Sequence, residues 1–404
     1  MSDRKLQNLF KSHLNYLDSI PQPLKNRKAI SAISYCRTPD MGTSYFTCKE
    51  QHKPIEQYHS CRNRSCYLCA LKAKQDWIEK QKTRLLNVPH FHVIFTLPHE
   101  YLSLWRYNRS LFASILFKAS KETLLELVED KKYQGLTPGL MIALHTWGRQ
   151  LTLHPHTHCL ITAGGVNASK QWQDIKQFLL PVRVVKALYR GKVQALLKQA
   201  FNAQTLTLPP DMERVDFNRL YQKTYRKEWS VRIEERYEHG KGVMLYLSRY
   251  LKGGPVTPEQ IGYAPKKGLV LRYLDHRDKR IKHLNLSSKE LIKRILEHVP
   301  PIGIHTVRHY GIYAASSKNR QLDVVKVKGT LANAQIGAGE KLRDMILSCK
   351  TCGGAMHLTH RSWRKTSKAF SINRASNAPD FVQPDDEAEF ANVTVGKIRD
   401  FSSS

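Results

Sequence analysis

Five of the eight cysteines fall between Cys36 and Cys69, and a stretch this rich in soft ligands constrains folding more than any apolar pattern in the chain. They occur in Cys36-Arg-Thr, Cys48-x3-His52 and Cys61-x4-Cys66-x2-Cys69. The N-terminus, Met1-Ser-Asp-Arg-Lys-Leu6, lacks the apolar core of a secretion signal. Clustered cysteines in such a chain read as metal ligands rather than disulfides. Cys66 and Cys69 have zinc-knuckle spacing, and Cys48 with His52 offers the opposite pair of a closed tetrahedral Zn²⁺ site. Cys36 and Cys61 then complete a second site, replace one of those four, or pack as thiols. Any one of these cysteines alone is more often a buried apolar residue; their density, with Lys49, Arg62 and Arg64 interleaved, favours zinc and DNA contact. Near the far end, Cys349-Lys-Thr-Cys352-Gly-Gly has knuckle form again, with His357 and His360 close behind. A second zinc at Cys349 and Cys352 could be a separate CxxC/HxxH site or share the N-terminal ligands. A redox-exposed loop is the third option.

The run Leu151-Thr-Leu-His-Pro-His-Thr-His-Cys-Leu-Ile-Thr162 reads as a strand. Alternation puts His156 and His158 on one face, about 7 Å apart along the backbone, where two imidazoles can hold a divalent metal open to substrate. An isolated His-x-His is usually incidental, and His90-Phe-His92 has the same spacing. His92, on the β-rich run Phe91–Leu97 bounded by Pro89 and Pro98, is the choice for third ligand, with His154 and His145 as competitors. Cys159 points to the opposite face and reads as core. The strand should stop at Gly164-Gly165, which leaves room for a backbone to approach. Further on, Tyr246-Leu-Ser-Arg-Tyr250 reads as helix, with both phenols on one face at i and i+4, and Arg249 and Lys252 beside them as DNA-binding candidates. With 18 tyrosines in the chain, that spacing alone is weak. A metal on paired histidines together with hydroxyl nucleophiles points to phosphoryl transfer through a covalent phosphotyrosine.

The charge supports a polyanionic substrate. With 65 Lys+Arg against 34 Asp+Glu in 404 residues, the formal charge is +31, far beyond what solubility needs. Nucleic acid binding by counterion release follows, with steep salt dependence. Apolar runs such as Val93-Ile-Phe-Thr-Leu97 fall well short of the roughly 20 residues that span a bilayer, so the expectation is a cytoplasmic, nucleoid-associated protein without a membrane partner. Two amphipathic segments separated by Pro21-Gln-Pro23 lead into the cysteines, and a basic helix is expected over 70–86. Helical patterns fill most of 103–129 and 177–231, the latter broken at Leu208-Pro-Pro210. Short strands around Leu269–Tyr273 and Lys282–Leu286 precede a helix near 288–298. Strands alternating with helices in this order fit an α+β fold, a sheet covered by helices.

These residues resemble a known family. His145-Thr-Trp-Gly148 followed by His154-Pro-His-Thr-His-Cys-Leu160 and Gly164-Gly165 resembles the HUH motif of rolling-circle insertion-sequence transposases. Tyr246-Leu-Ser-Arg-Tyr-Leu-Lys252 resembles that family's two-tyrosine helix, and Cys36-Arg-Thr with Ser60-Cys-Arg-Asn-Arg-Ser-Cys66 its N-terminal zinc-binding module. Phe91–His99, Tyr273-Leu-Asp-His-Arg277 and Val307-Arg-His-Tyr-Gly311 match as well, so the likeness covers roughly 10–330. The family usually has Cys-x2-Cys where Cys48-x3-His52 stands, and a histidine at the position of Ser65. The resemblance implies a helix-covered, mainly antiparallel HUH endonuclease sheet preceded by a small zinc module. The expected organisation is a zinc-binding DNA-recognition module over 1–75, a nuclease domain over 76–330 and a basic CxxC segment over 331–370, while the polar tail over 371–404, acidic at Asp385-Asp-Glu387, reads as disordered. The resemblance further implies Tyr246 and Tyr250 as nucleophiles on single-stranded DNA at element ends and target, with Mg²⁺ or Mn²⁺ at the histidines and host replication machinery as partner. A plasmid rolling-circle initiator or relaxase shares this chemistry, and a non-catalytic zinc-dependent DNA-binding protein is the alternative of another class.

Overall fold

The computed structural model describes residues 4–176, 179–234, 236–238, 254–264, 268–275, 278–331 and 348–363. Helices α1 (Lys5–Ser12), α2 (Leu14–Ser19) and α3 (Leu24–Tyr35) come first. Strands β1 (Gly42–Cys48) and β2 (Ile55–Tyr58) follow, then α4 (Tyr67–Lys82), which leaves directly from Cys66. Strand β3 (His90–Thr96) precedes α5 (Leu102–Tyr107) and α6 (Arg109–Glu129). Next are β4 (Thr137–Trp147), β5 (Leu153–Val166), β6 (Trp172–Asp174), α7 (Val182–Asn202), α8 (Arg214–Arg226) and β7 (Val231–Ile233). The last part holds β8 (Ile261–Ala264), β9 (Gly268–Leu274), β10 (Ile281–Asn285), α9 (Ser288–Glu297), β11 (Val307–Gly311), α10 (Lys318–Lys328) and β12 (Met356–Trp363).

The fold is α+β. Its main sheet runs β11-β4-β5-β3-β7, with β6 on the end of β5, and its pairings are antiparallel. One face is apolar because alternate residues are apolar. Phe91, Val93 and Phe95 of β3, Leu140, Ile142 and Leu144 of β4, and Cys159 and Ile161 of β5 all enter one core with Phe112, Leu116 and Phe117 of α6 and Tyr189 and Val193 of α7. Burying a side chain of this size contributes about 1.5–3 kcal/mol, so this face fixes the register and thereby sends the intervening residues to the other side. There, Met141, Ala143 and Leu160 pack under Leu85, Leu86, Ile312 and Tyr313 over part of the sheet. The uncovered remainder carries histidines.

Strand β5 does not stop at the diglycine but runs on to Val166. The approaching backbone is the chain's own: a Cβ on Gly164 would lie 2.7 Å from the Gln173 carbonyl oxygen, and one on Gly165 2.6 Å from that of Thr137. The N-terminal helices share a second core with the later part of the chain. Leu6, Phe10, Ile30 and Ile33 pack with Cys66, Leu68, Leu271, Leu291 and Ile295. Arg64 adds a polar tie, donating to the carbonyls of Ile304 (2.7 Å) and Pro301 (2.9 Å). A small sheet, β12-β1-β2, pairs the two ends of the described chain. Among the described residues no helix is long and apolar enough to cross a membrane.

Candidate active site and metal centres

Antiparallel register assembles the histidines. His145 of β4 lies opposite His156 of β5, and period-2 alternation puts His158 on the same face. Side-chain nitrogens of His145, His156 and His158 all come within 4.8 Å of one another, and all three side chains are buried. His156 Nε2 and His158 Nε2 stand 3.0 Å apart. Their other nitrogens are engaged: His156 Nδ1 donates to the His154 carbonyl at 2.6 Å, and His158 Nδ1 lies 2.9 Å from His92 Nε2. His92 Nδ1 in turn faces the Tyr237 hydroxyl at 3.4 Å. Because the His154 carbonyl can only accept, His156 carries its proton on Nδ1 and presents a lone pair at Nε2, and a His158 proton on Nδ1, shared with His92, gives the matching tautomer. Bonds of about 2.1 Å at right angles around one cation put ligand atoms roughly 3 Å apart, so the donor set fits a divalent metal.

Burial is the main cause of the electrostatics. It pushes His156 down to about 3 and His158 well below the usual imidazole value, with His145 adding repulsion in both cases. Burial also pushes His92 down to about 4. These rings are neutral at neutral pH, the form that ligates metals. On the opposite face, Thr157 Oγ1 is tied to Ser120 Oγ of α6 at 2.8 Å, which pins the strand between the two histidines.

The sequence-derived candidates fall out unevenly. His156 and His158 come together, whereas His92 sits behind His158 as its hydrogen-bond partner and His145 takes the place beside the pair. His154 packs against the His99 ring at 5.4 Å. His90 is enclosed, with Nδ1 on the Val88 carbonyl and Nε2 on the Tyr313 hydroxyl, both at 2.8 Å. Cys159 is fully buried in the core, and desolvation raises its thiol pKa. Tyr237, which sequence reasoning missed, carries no motif that could have flagged it. Tyr246, Arg249, Tyr250 and Lys252 lie outside the described residues. The histidines open into a cleft of about 1870 Å³ whose walls carry Arg109, Arg149, Lys227 and Arg232, balanced in part by Glu228, Glu234, Asp275 and Glu297, along with Trp77, Trp147 and Tyr273. Cations and aromatic faces along one groove suit a single nucleic acid strand.

The cysteines form two groups. Cys36, Cys61, Cys66 and Cys69 bring their sulfurs together, with Cys36 and Cys61 lying 3.5 and 3.6 Å from Cys69. A tetrahedron with Zn–S bonds of about 2.3 Å has edges of ~3.8 Å, so four thiolates at this spacing fit Zn²⁺. Hydrogen bonds from Cys36 and its neighbours push Cys69 down, and the same crowding pushes Cys61 up. Ser65 is not in the group; its N–H donates to Asn63 Oδ1. Cys48 and His52 do not join Cys66 and Cys69 but meet Cys349 and Cys352. His357 and His360 lie exposed on β12, across from Thr47 and Tyr45. Arg62 is exposed with a left-handed backbone (φ 52°), and the Arg64 guanidinium is held by the two carbonyls named above.

Comparison with known proteins matches both halves of this arrangement. A family model described as "Putative transposase" matches residues 139–321, and a transposase zinc-binding domain matches residues 8–97. The chain is 32% identical over 304 residues to "Putative transposase y4qJ" of Sinorhizobium fredii, covering 73% of this chain and 76% of that protein. It is 30% identical over 367 residues to the transposase for insertion sequence element IS801 of Pseudomonas savastanoi pv. phaseolicola, covering 86% of each.

Proposed function

The chain belongs to the rolling-circle HUH transposases, with their N-terminal zinc-binding domain, and we propose that it nicks and rejoins single-stranded DNA through a 5′-phosphotyrosine. The observation that carries this is the convergence of His145, His156 and His158 on one face of the main sheet, at the floor of a large cleft lined by charged and aromatic side chains. These three residues would hold a divalent cation, Mn²⁺ or Mg²⁺, which supplies Lewis-acid polarisation of the scissile phosphate and stabilises the charge that develops there. The His154 carbonyl fixes the tautomer that leaves His156 Nε2 unprotonated, and His92, as acceptor from His158 Nδ1, would leave His158 Nε2 free in the same way.

Tyr246 or Tyr250 is the nucleophile. Its phenol oxygen bonds to phosphorus, the P–O3′ bond breaks, and the phenol proton ends on the departing 3′-oxygen. The energy of the cleaved bond is kept in the phosphotyrosine, so rejoining needs no nucleotide cofactor. The second tyrosine attacks the target strand or closes the cycle. A phenol at its ordinary pKa near ~10 is a weak nucleophile at neutral pH, so a cation held by His145, His156 and His158 would be needed to supply positive charge at the reacting phosphate. Cys36, Cys61, Cys66 and Cys69 would hold Zn²⁺ and stiffen the loop that presents Arg62 to the element's terminal DNA. The +31 charge is in keeping with a DNA substrate, and the free 3′-hydroxyl would prime host replication.

Denaturing gels of labelled single-stranded oligonucleotides covering an element end, with Mn²⁺ or EDTA, test the reading. A metal-dependent, protein-linked product that disappears in Tyr246→Phe/Tyr250→Phe is expected. Tight binding without cleavage under every condition would leave a DNA-binding protein and overturn the nuclease.

A further inference from the structure

Cys48, His52, Cys349 and Cys352 lie apart from the imidazole cluster and from the first cysteine group, and the family models, which end at 97 and 321, leave the second pair unassigned. Their four ligand atoms come within 4.8 Å of one another, although the two halves of the group lie at opposite ends of the described chain. We propose that these residues form a second Zn²⁺ site, of Cys3His type, which clasps residues 348–363 to the N-terminal module. The proposal is independent of the nuclease chemistry.

Three observations support a closed metal site over an accidental meeting of thiols. First, the Cys48–His52 half has the local geometry of a thiolate holder. The His52 N–H donates to Cys48 Sγ at 3.3 Å, and His52 Nδ1 lies 3.4 Å from the same sulfur. Second, the Cys349–Cys352 turn is preformed. Gly353 N–H closes on the Cys349 carbonyl and Cys349 N–H on the Gly354 carbonyl, both at 2.8 Å. Gly353 has φ +69°, a conformation that glycine takes without steric cost. Third, beyond its backbone ladder with β1 and ties such as Ser362 Oγ to Thr43, β12 has little apolar burial to hold it. Most of its side chains are exposed, including Leu358 (43%) and Trp363 (72%), and its buried contact is a minor cluster of Met356 with Cys48 and Cys349. An edge strand with so little buried apolar surface needs another anchor, and a tetrahedral thiolate–imidazole site is one that small modules use in place of a core. The donor set of three sulfurs and one nitrogen selects zinc over magnesium or calcium.

Elemental analysis of the full-length chain, purified without chelator, tests the clasp. Two zinc ions per chain are expected, falling to one in Cys349→Ser/Cys352→Ser. His52→Cys should keep two. In the cobalt-substituted protein it should raise the thiolate charge-transfer absorption, as one site passes from three sulfurs to four. If the double serine variant fails to fold, native alkylation of the wild type decides. Iodoacetamide should spare Cys349 and Cys352 until zinc is chelated. Labelling of both in the zinc-loaded protein, or a disulfide between them, would overturn the site.

Discussion

Removing His92 probes how the imidazole cluster divides its labour. If His145, His156 and His158 are the ligands, His92 acts only through the 2.9 Å contact with His158 Nδ1. His92→Ala then withdraws the acceptor that orients a ring only 4% exposed. Losing an outer partner of this kind costs roughly 10–100-fold in metal affinity, or about 1.4–2.7 kcal/mol. His92→Gln, whose amide oxygen accepts the same hydrogen bond, should recover most of that loss. His145→Ala removes one of three ligand atoms and should cost more than the upper end of that range. Titrating Mn²⁺ into each purified variant by calorimetry, beside a thermal melt to show that it is folded, measures the three affinities. At pH 7.5 no competing proton complicates the comparison, because burial holds His92 near 4 and His156 near 3. Wild-type affinity in His145→Ala, with His92→Ala abolishing binding beyond rescue by glutamine, would make His92 the ligand and refute the argument from tautomers.

Two further perturbations test the scaffold. Burial pushes His90 from 6.5 down to about 4, so the unfolded chain takes up a proton that the folded one refuses. The stability this contributes is complete above pH 6.5 and is lost as pH falls towards 4. About 3 kcal/mol should disappear over that window, and urea unfolding of wild type against His90→Gln should show a shallower decline in the variant; parallel slopes would sink the assignment. Gly311 has φ +58°, and a Cβ there would sit 2.0 Å from the Pro138 carbonyl oxygen. Gly311→Ala should therefore cost upwards of about 2 kcal/mol by thermal denaturation, and a loss under about 0.5 kcal/mol would contradict the β4–β11 register.

What was legible in the sequence was local. His156 and His158 share a face because strand alternation depends on nothing distant, and the helix expected near 288–298 forms over Ser288–Glu297. His145 could be named only as a competitor, since its place opposite His156 comes from the β4–β5 register, which no single segment encodes. The same holds for the cysteines. Their density announces metal, but the partition into Cys36/Cys61/Cys66/Cys69 and Cys48/His52/Cys349/Cys352 depends on the pairing of β1 with β12. Strands β1, β2 and β12 were missed for a related reason. Short strands in a polar, ligand-rich stretch bury too little to leave a periodic apolar signal, and metal takes the place of that signal. One basic residue has a contact that no spacing announces: the Arg64 guanidinium donates to carbonyls from the segment after α9, while the residue lines the same cleft as the histidines.

The pairing of β12 with β1 also sets an order of events during synthesis. The Thr43 N–H bonds to Ser362 Oγ across 319 residues, and at translation rates of about 5–20 residues per second that separation is roughly 15–60 s of ribosome time. For that interval β1 presents a bare edge, open to mispairing with other chains. The main sheet, complete by Gly311, leaves the ribosome before β12 can close on the N-terminal strands. A nascent chain therefore assembles the histidine face first and joins Cys48 and His52 to Cys349 and Cys352 last, as synthesis ends.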